Sequence, residues 1–292
     1  MKTYQQLWQS LTPLYDAGEA QAIVRTVLDV KYGMTLTDII CGKVNELSTD
    51  EGEKLEAIVK RLQHAEPVQY ILGEADFAGR TFHVEPGVLI PRPETAELCQ
   101  WIKEDGIAPQ ILDICTGSGC IAITLALDMP DAEIVEGWDI SEDAIRIAKA
   151  NAETLGARNV NIKYQDALHL MEHDLAPEKW DIIVSNPPYI CEKEKADMAP
   201  NVLDYEPDIA LFVPNEDPLR FYRAIAQYAS QALKSGGRLY FEINPIYETE
   251  MREMLSHLHA SEIETREDAY GKKRMMKAMF SQIQHHISPK HK

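Results

Sequence analysis

The chain has 292 residues, 45% of them hydrophobic, and a formal net charge of −18. This is enough for one large or two modest domains with a sizeable core, and the acidity counts against an enzyme that grips bare phosphate backbones, which needs Lys and Arg. No apolar run approaches the ~20 residues that cross a bilayer, the opening MKTYQQLWQS lacks the apolar segment of a secretory leader, and the five cysteines (Cys41, Cys99, Cys115, Cys120 and Cys191) contain no Cys-x-x-Cys pair. We therefore expect a soluble, cytoplasmic protein of a reducing compartment, without a disulfide framework, a zinc ribbon or a metal site.

Residues 1–73 read as a small helical N-terminal domain. In EAQAIVRTVLDVKY, Ile23, Val24, Val27, Leu28 and Lys31 recur at helical spacing and form a mostly apolar stripe. In LSTDEGEKLEAIVKRL, Ser48 and Glu51 form a capping box ahead of the face Leu55, Ile58, Val59 and Leu62. Residues 74–95 alternate Phe77, Phe82 and Val84 among glycines and prolines, the pattern of a β-hairpin linker. Residues 96–283 then repeat strand, turn and helix. QILDIC, EIVEGWDI, NVNIKYQD, WDIIVSN, GRLYFEI, EIETRED and RMMKAMF are the strands, with helices near 119–128, 141–155, 218–234 and 246–258. Such alternation predicts an α/β domain whose mainly parallel sheet carries helices on both faces. Residues 284–292 read as a disordered tail with solvated histidines.

The segment ILDICTGSGCIAITLAL is a strand, a glycine turn and a helix. Gly117 and Gly119 let the backbone bend sharply and approach a ligand. Asp139 ends the next strand, 20 residues after Gly119, where an acidic group accepts hydrogen bonds from ribose hydroxyls. Asp166 closes the third strand and is placed to meet an adenine amino group or to fix its own loop. Gly117 to Ala122 also fits Gly-x-Gly-x-x-Ala, so the turn alone admits both NAD and S-adenosylmethionine, which share an adenosine half.

The reacting end separates them. DIIVSNPPYI delivers Asn186, Pro187, Pro188 and Tyr189 where an apolar strand runs out, and ligands of open parallel sheets bind beyond the carboxyl ends of the strands. An amide nitrogen is a poor nucleophile because its lone pair is delocalised. Acceptors on its N–H groups favour a geometry that frees the lone pair. The Asn186 side-chain oxygen and the Pro187 carbonyl supply two such acceptors, Pro188 stiffens the loop, and Tyr189 offers a ring to pack on a planar group. The combination favours methyl transfer to a planar nitrogen over hydride transfer.

With IPRPET at 90–95, DICTGSG at 113–119, NPPYI at 186–190, YEPDIAL at 205–211, SGGRLYFEI at 235–243 and Asp268-x-x-Gly271-x-x-Arg274 in this order, the chain resembles the HemK-type N5-glutamine methyltransferases of peptide chain release factors. NPPY is shared with other amide- and adenine-directed methyltransferases; IPRPET and YEPDIAL are narrower. The resemblance implies a Rossmann-like seven-stranded class I methyltransferase sheet with an antiparallel last strand, and a helical N-terminal domain that docks a class 1 release factor. It implies S-adenosylmethionine as donor, held by Cys115, Thr116, Gly117, Ser118, Gly119, Asp139, Asp166, Ala167 and Asn186. It implies that Asn186, Pro187, Pro188 and Tyr189 grip the glutamine of the Gly-Gly-Gln motif, with Asn186, Pro187 and Tyr189 catalytic. A monomer that makes no direct contact with nucleic acid or membrane is expected. Cys115 departs from the glycine frequent in the family, and Ala167 from the bulky aromatic some relatives place beside the adenine.

Several residues read equally well two ways. Arg92 and Glu94 either tie the linker to the catalytic domain or shape the binding channel. Glu206 either orients a substrate loop or caps a helix, and Glu242 ends a strand with nothing obliging it to act as a base. Met275 and Met276 read as core. Two further readings of the whole chain are a DNA adenine methyltransferase, disfavoured by the acidity and the small helical N-terminus, and a nucleotide-binding module without activity, disfavoured by the intact Asn186, Pro187 and Tyr189.

Overall fold

The computed structural model describes residues 2–172 and 177–280, so the expected disordered tail at 284–292 lies outside the described residues. The chain forms two compact units. One takes in the residues up to Ala75 with Val84–Pro86 and Asp197–Glu206; the other takes in Asp76–His83, Gly87–Ala196 and the residues from Pro207 onward.

The first unit is helical: α1 (Tyr4–Gln9), α2 (Ala17–Tyr32), α3 (Leu36–Ile40), α4 (Thr49–Leu62) and α5 (Val68–Leu72). Asp16 caps the start of α2, and Gly33, at φ 62°, ends it in the left-handed conformation that glycine adopts without a Cβ clash. Ala20, Val24, Val27 and Leu28 are buried on one face. Lys31 leaves that stripe and donates from Nζ to the Leu72 carbonyl at 3.0 Å. The Ser48–Glu51 capping box of α4 is present in both directions, and Leu55, Val59 and Leu62 are buried. Tyr205 joins this unit through its hydroxyl, which donates to the His64 carbonyl at 2.8 Å. The segment YEPDIAL is therefore divided, its Tyr205 and Glu206 in the helical unit and its Pro207–Leu211 in the other.

Strands β1 (Glu74–Phe77) and β2 (Arg80–His83) form a two-stranded sheet. Phe77 and Phe82 meet edge to face, their centroids 5.9 Å apart, as core packing. The pairing ends at His83. IPRPET instead opens a helix, α6 (Pro93–Glu104), which the strand-and-turn reading did not anticipate. Its signals are visible in the sequence: a proline at the first helical position, Glu94 in the first turn, and buried Thr95, Leu98, Cys99, Trp101 and Ile102.

The second unit continues with β3 (Gln110–Ile114), α7 (Cys120–Asp128), β4 (Ile134–Asp139), α8 (Glu142–Leu155), β5 (Val160–Tyr164), β6 (Trp180–Ser185), β7 (Ile190–Cys191), α9 (Pro200–Leu203, within the helical unit), α10 (Asp208–Leu211), β8 (Phe212–Val213), α11 (Arg220–Ala232), β9 (Leu233–Glu242), α12 (Glu248–His257), β10 (Ala260–Glu267) and β11 (Lys273–Phe280). Seven strands form one sheet in the order β10-β11-β9-β6-β3-β4-β5, with β9, β6, β3, β4 and β5 mutually parallel and β11 antiparallel to both neighbours. The last strand thus runs antiparallel, as expected.

The sheet is covered on both faces because its central strands are apolar on both. Ile182 and Val184 pack with α6 and α7, whereas Ile183 packs with α11 and α12. Met275 and Met276 divide between the same two clusters. β3 lies between β4 and β6, the point where the strand order reverses, so the segments that follow these three strands open into one crevice.

Candidate active site

The turn after β3 is built on a buried carboxylate. Asp113 is fully buried in β3, and its Oδ2 accepts from Thr116 Oγ1 at 2.6 Å and from the Ala122 N–H at 3.2 Å. The chain between them turns through three left-handed positions: Cys115 at φ 63°, Gly117 at 54° and Gly119 at 81°. At Gly119 a Cβ would come within 2.9 Å of Ile123 and 3.1 Å of Ala148, so only glycine lets the turn seat against α8. Gly137 in β4, which the sequence did not single out, is equally constrained: a Cβ there would lie 2.6 Å from Ile162 and 2.8 Å from Thr116 Oγ1. Cys115 holds a left-handed conformation with a side chain, the structural meaning of its departure from glycine. Burial keeps its thiol well above the ordinary range.

Burial also pushes the Asp113 carboxyl up to about 7, against the opposing hydrogen bonds from Thr116 and Ala122. The folded chain then holds a proton that the unfolded chain releases in the ordinary carboxylate range. The stability this group contributes is greatest in acid, falls as the pH rises toward about 7, and is level above it. Asp113→Asn, which keeps the acceptor for Thr116, is expected to remove that fall. Between about pH 5 and pH 8 the loss of unfolding free energy should shrink by roughly 2–3 kcal/mol, read from denaturant midpoints.

Asp139, at the end of β4, fastens the turn. Its Oδ2 accepts the Gly117 N–H and its Oδ1 the Ser141 N–H, each at 2.9 Å. Burial raises this carboxyl while those N–H groups oppose the rise. A carboxylate has about four acceptor positions, so these bonds leave Asp139, which lines the cavity, with acceptor capacity. Asp166 spends both oxygens on its own loop, accepting from the Leu168 N–H at 2.8 Å and pairing with His169 Nδ1 at 2.6 Å. That pairing holds the His169 imidazole above its usual range. The turn is tied to β2 through Asn151 of α8, which donates to the carbonyls of His83 (3.0 Å) and Ser118 (2.9 Å) and accepts the His83 N–H (2.8 Å).

Beyond β6, Ser185 donates to the Ile114 carbonyl at 2.6 Å and holds the start of the Asn186–Tyr189 loop beside the glycine turn. Asn186 donates from Nδ2 to Thr95 Oγ1 at 3.3 Å, and among the described residues nothing donates to its Oδ1. Thr95 donates to Glu242 Oε2 at 2.5 Å, and Tyr189 donates from its hydroxyl to Glu242 Oε1 at 3.0 Å. Glu242 is buried at the end of β9. Burial raises its carboxyl, and the Thr95 and Tyr189 bonds with the nearby Arg274 guanidinium act against that. Asp268 holds Arg274 at 3.6 Å, which gives the Asp-x-x-Gly-x-x-Arg spacing an electrostatic purpose.

These segments enclose a cavity of about 330 Å³, within the range of small-molecule sites. Cys115, Thr116, Gly117, Ser118, Asp139, Asp166, Ala167, Asn186 and Pro188 all line it, whereas Gly119, Pro187 and Tyr189 do not. Gly119 serves as a packing residue behind the turn. Tyr189 is held by its hydroxyl on Glu242 and packs its ring against the core beside α11. Arg92 lines the cavity at the N-cap of α6. Glu206 is buried in the helical unit.

The residues the sequence did not reveal are Thr95, Gly137 and Phe221. Phe221 of α11 lines the cavity and packs on the core cluster that includes Ala167, so an aromatic ring is supplied from another element than the one that carries Ala167. Its only sequence signal is a position in the first turn of a strongly amphipathic helix, which many core residues share.

Family comparisons agree with this geometry. A model described as a methyltransferase domain matches residues 108–287, and one described as a PrmC N-terminal domain matches residues 12–73. The first decides against the dinucleotide reading of the glycine turn. The release factor glutamine methyltransferase of Bacteroides thetaiotaomicron is 48% identical over 271 residues, covering 92% of this chain and 96% of its own. That of Flavobacterium psychrophilum is 38% identical over 287 residues, covering 96% and 99%. That of Streptococcus pneumoniae is 38% identical over 247 residues, covering 83% and 86%. With this identity sustained across both compact units, the chain belongs to the release factor glutamine methyltransferase family.

Proposed function

We propose that this chain transfers a methyl group from S-adenosylmethionine to the side-chain amide nitrogen (N5) of the glutamine in the Gly-Gly-Gln motif of class 1 peptide chain release factors. The observation that carries this reading is the Asn186 carboxamide, which lines the same cavity as the glycine turn and Asp139 and whose oxygen no described residue takes. The residues fit the donor. Asp139 keeps acceptor capacity for ribose hydroxyls, Gly117 has open space where a Cβ would stand, and Ala167 and Phe221 offer an apolar wall for the adenine. The donor supplies a methyl group on a positively charged sulfur, whose departure needs no general acid.

What the chain itself must do is orient. Asn186 Oδ1 accepts one N–H of the glutamine amide and the Pro187 carbonyl, set back from the cavity wall, accepts the other, so the nitrogen lone pair is freed and aimed; as the N–CH3 bond forms and the S–CH3 bond breaks, one N–H proton is lost to water. Pro188 fixes the loop, and Tyr189 anchors it. The helical residues 1–73 dock the release factor, and the enzyme works as a cytoplasmic monomer with no direct contact to nucleic acid. Among the described residues no helix is long and apolar enough to cross a membrane. The test is to incubate pure enzyme, donor and cognate release factor, then weigh the peptide that contains Gly-Gly-Gln. One added methyl group on the glutamine is the expected result; an unshifted peptide overturns the proposal.

A further inference from the structure

The two ends of a carboxamide are nearly the same size and opposite in hydrogen-bonding sense. Which end of Asn186 faces the cavity decides whether the site receives a donor or an acceptor. We propose that Thr95 and Glu242 set this choice: they are positioning residues that hold Nδ2 of Asn186 on the Thr95 hydroxyl and so keep Oδ1 turned to the acceptor amide. The inference rests on the reading of Asn186 given above.

Thr95 has one hydroxyl proton, and its short contact with Glu242 Oε2, 2.5 Å, commits that proton to the carboxylate. Tyr189 gives its own proton to the other oxygen, at 3.0 Å. Each Glu242 oxygen is taken by one of these hydroxyls, and a carboxylate only accepts, so in the carboxylate form neither hydroxyl can turn round. The remaining lone pair of Thr95 can then only accept, and the group it meets at 3.3 Å must be the N–H end of Asn186. Burial raises the Glu242 carboxyl, and Arg274, steadied by Asp268, acts against that rise and so toward the carboxylate form. Three separate chain segments meet here: the first turn of α6, the loop after β6 and the end of β9.

The consequence is selectivity. A cavity that shows Oδ1 accepts the NH2 of a carboxamide and repels a carboxylate, which brings only acceptors. With Asn186 reversed, the preference would weaken or invert. Thr95 and Glu242 thereby act on the choice of glutamine over glutamate without either serving as a base.

The test uses the full chain, a release factor and that factor with Glu in place of the Gly-Gly-Gln glutamine, the latter as a competitor. Thr95→Val keeps the shape and removes the hydroxyl; Glu242→Gln can donate to Thr95 and reverse the chain of bonds. Each is expected to lower kcat by about tenfold or more while the donor Kd, by calorimetry, stays within about twofold. Each should also strengthen competition by the Glu factor relative to the wild-type enzyme. Thr95→Ser should recover most of the loss. In an Asn186→Ala background, Thr95→Val should cost less than about threefold more, because the two act as one unit. If Thr95→Val does not fold, Glu242→Gln and the competition ratio carry the test. The proposal is overturned if Asn186→Ala is slow while Thr95→Val and Glu242→Gln keep both wild-type turnover and wild-type rejection of the Glu factor, or if the Thr95 and Asn186 losses simply multiply. Wild-type turnover in Asn186→Ala would instead remove the reading beneath it.

Discussion

Asn186→Ala is expected to lower turnover by about 10²–10³-fold, the usual cost of removing one pre-aimed hydrogen-bonding group at a reacting centre. Donor affinity should stay within about twofold, because the bonds that shape the donor turn do not pass through Asn186. The Gly117 and Ser141 N–H groups go to Asp139, and Thr116 goes to Asp113. The loss should fall on kcat more than on KM for the release factor, since the acceptor matters most when the lone pair is being freed. Single-turnover kinetics with saturating donor, set beside a calorimetric Kd, separates the two quantities. A variant that binds donor poorly yet performs chemistry at the wild-type rate would contradict the role given to this side chain.

Asp139→Ala carries the second large effect, and it falls on the other substrate. The carboxylate does two things at once: it fastens Gly117 and Ser141, and it keeps acceptor capacity toward the cavity. Hydrogen bonds to a charged group contribute about 1.5–3 kcal/mol each, so losing the ribose contacts together with a looser turn should raise the donor Kd by roughly 100-fold or more. Asp139→Asn retains an acceptor of the same shape and should lose less. Turnover at saturating donor should change far less than affinity in both variants. An Asp139→Ala enzyme with the wild-type donor Kd would show that the ribose does not lean on this residue.

Local chemistry alone marked the strand–glycine–helix unit, Asp139 twenty residues after Gly119, the Asn-Pro-Pro-Tyr loop after an apolar strand, and the Ser48–Glu51 cap. Each is a short-range pattern in which a few neighbouring residues satisfy their own backbone or present a group at a strand end, so each is legible without knowing what lies across the fold. The alternation of strands and helices likewise carried the sheet and its covering, because period and length are properties of the chain itself.

What the sequence left open was decided by contacts between distant residues. Thr95 and Glu242 are 147 positions apart, yet share one hydrogen bond beneath Asn186. No spacing rule announces such a pair, and Thr95 reads in sequence only as the end of IPRPET. Gly137 reads as an ordinary strand residue until Ile162 and Thr116 are seen to fill the space a Cβ would need. Tyr189 reads as a free aromatic ring until its hydroxyl is found on Glu242. The sequence by itself determined which chemical groups arrive at the strand ends. Tertiary structure alone decided which way they face, because the direction of a buried hydroxyl or carboxamide is set by the partner that takes its hydrogen, and here those partners come from other segments of the chain.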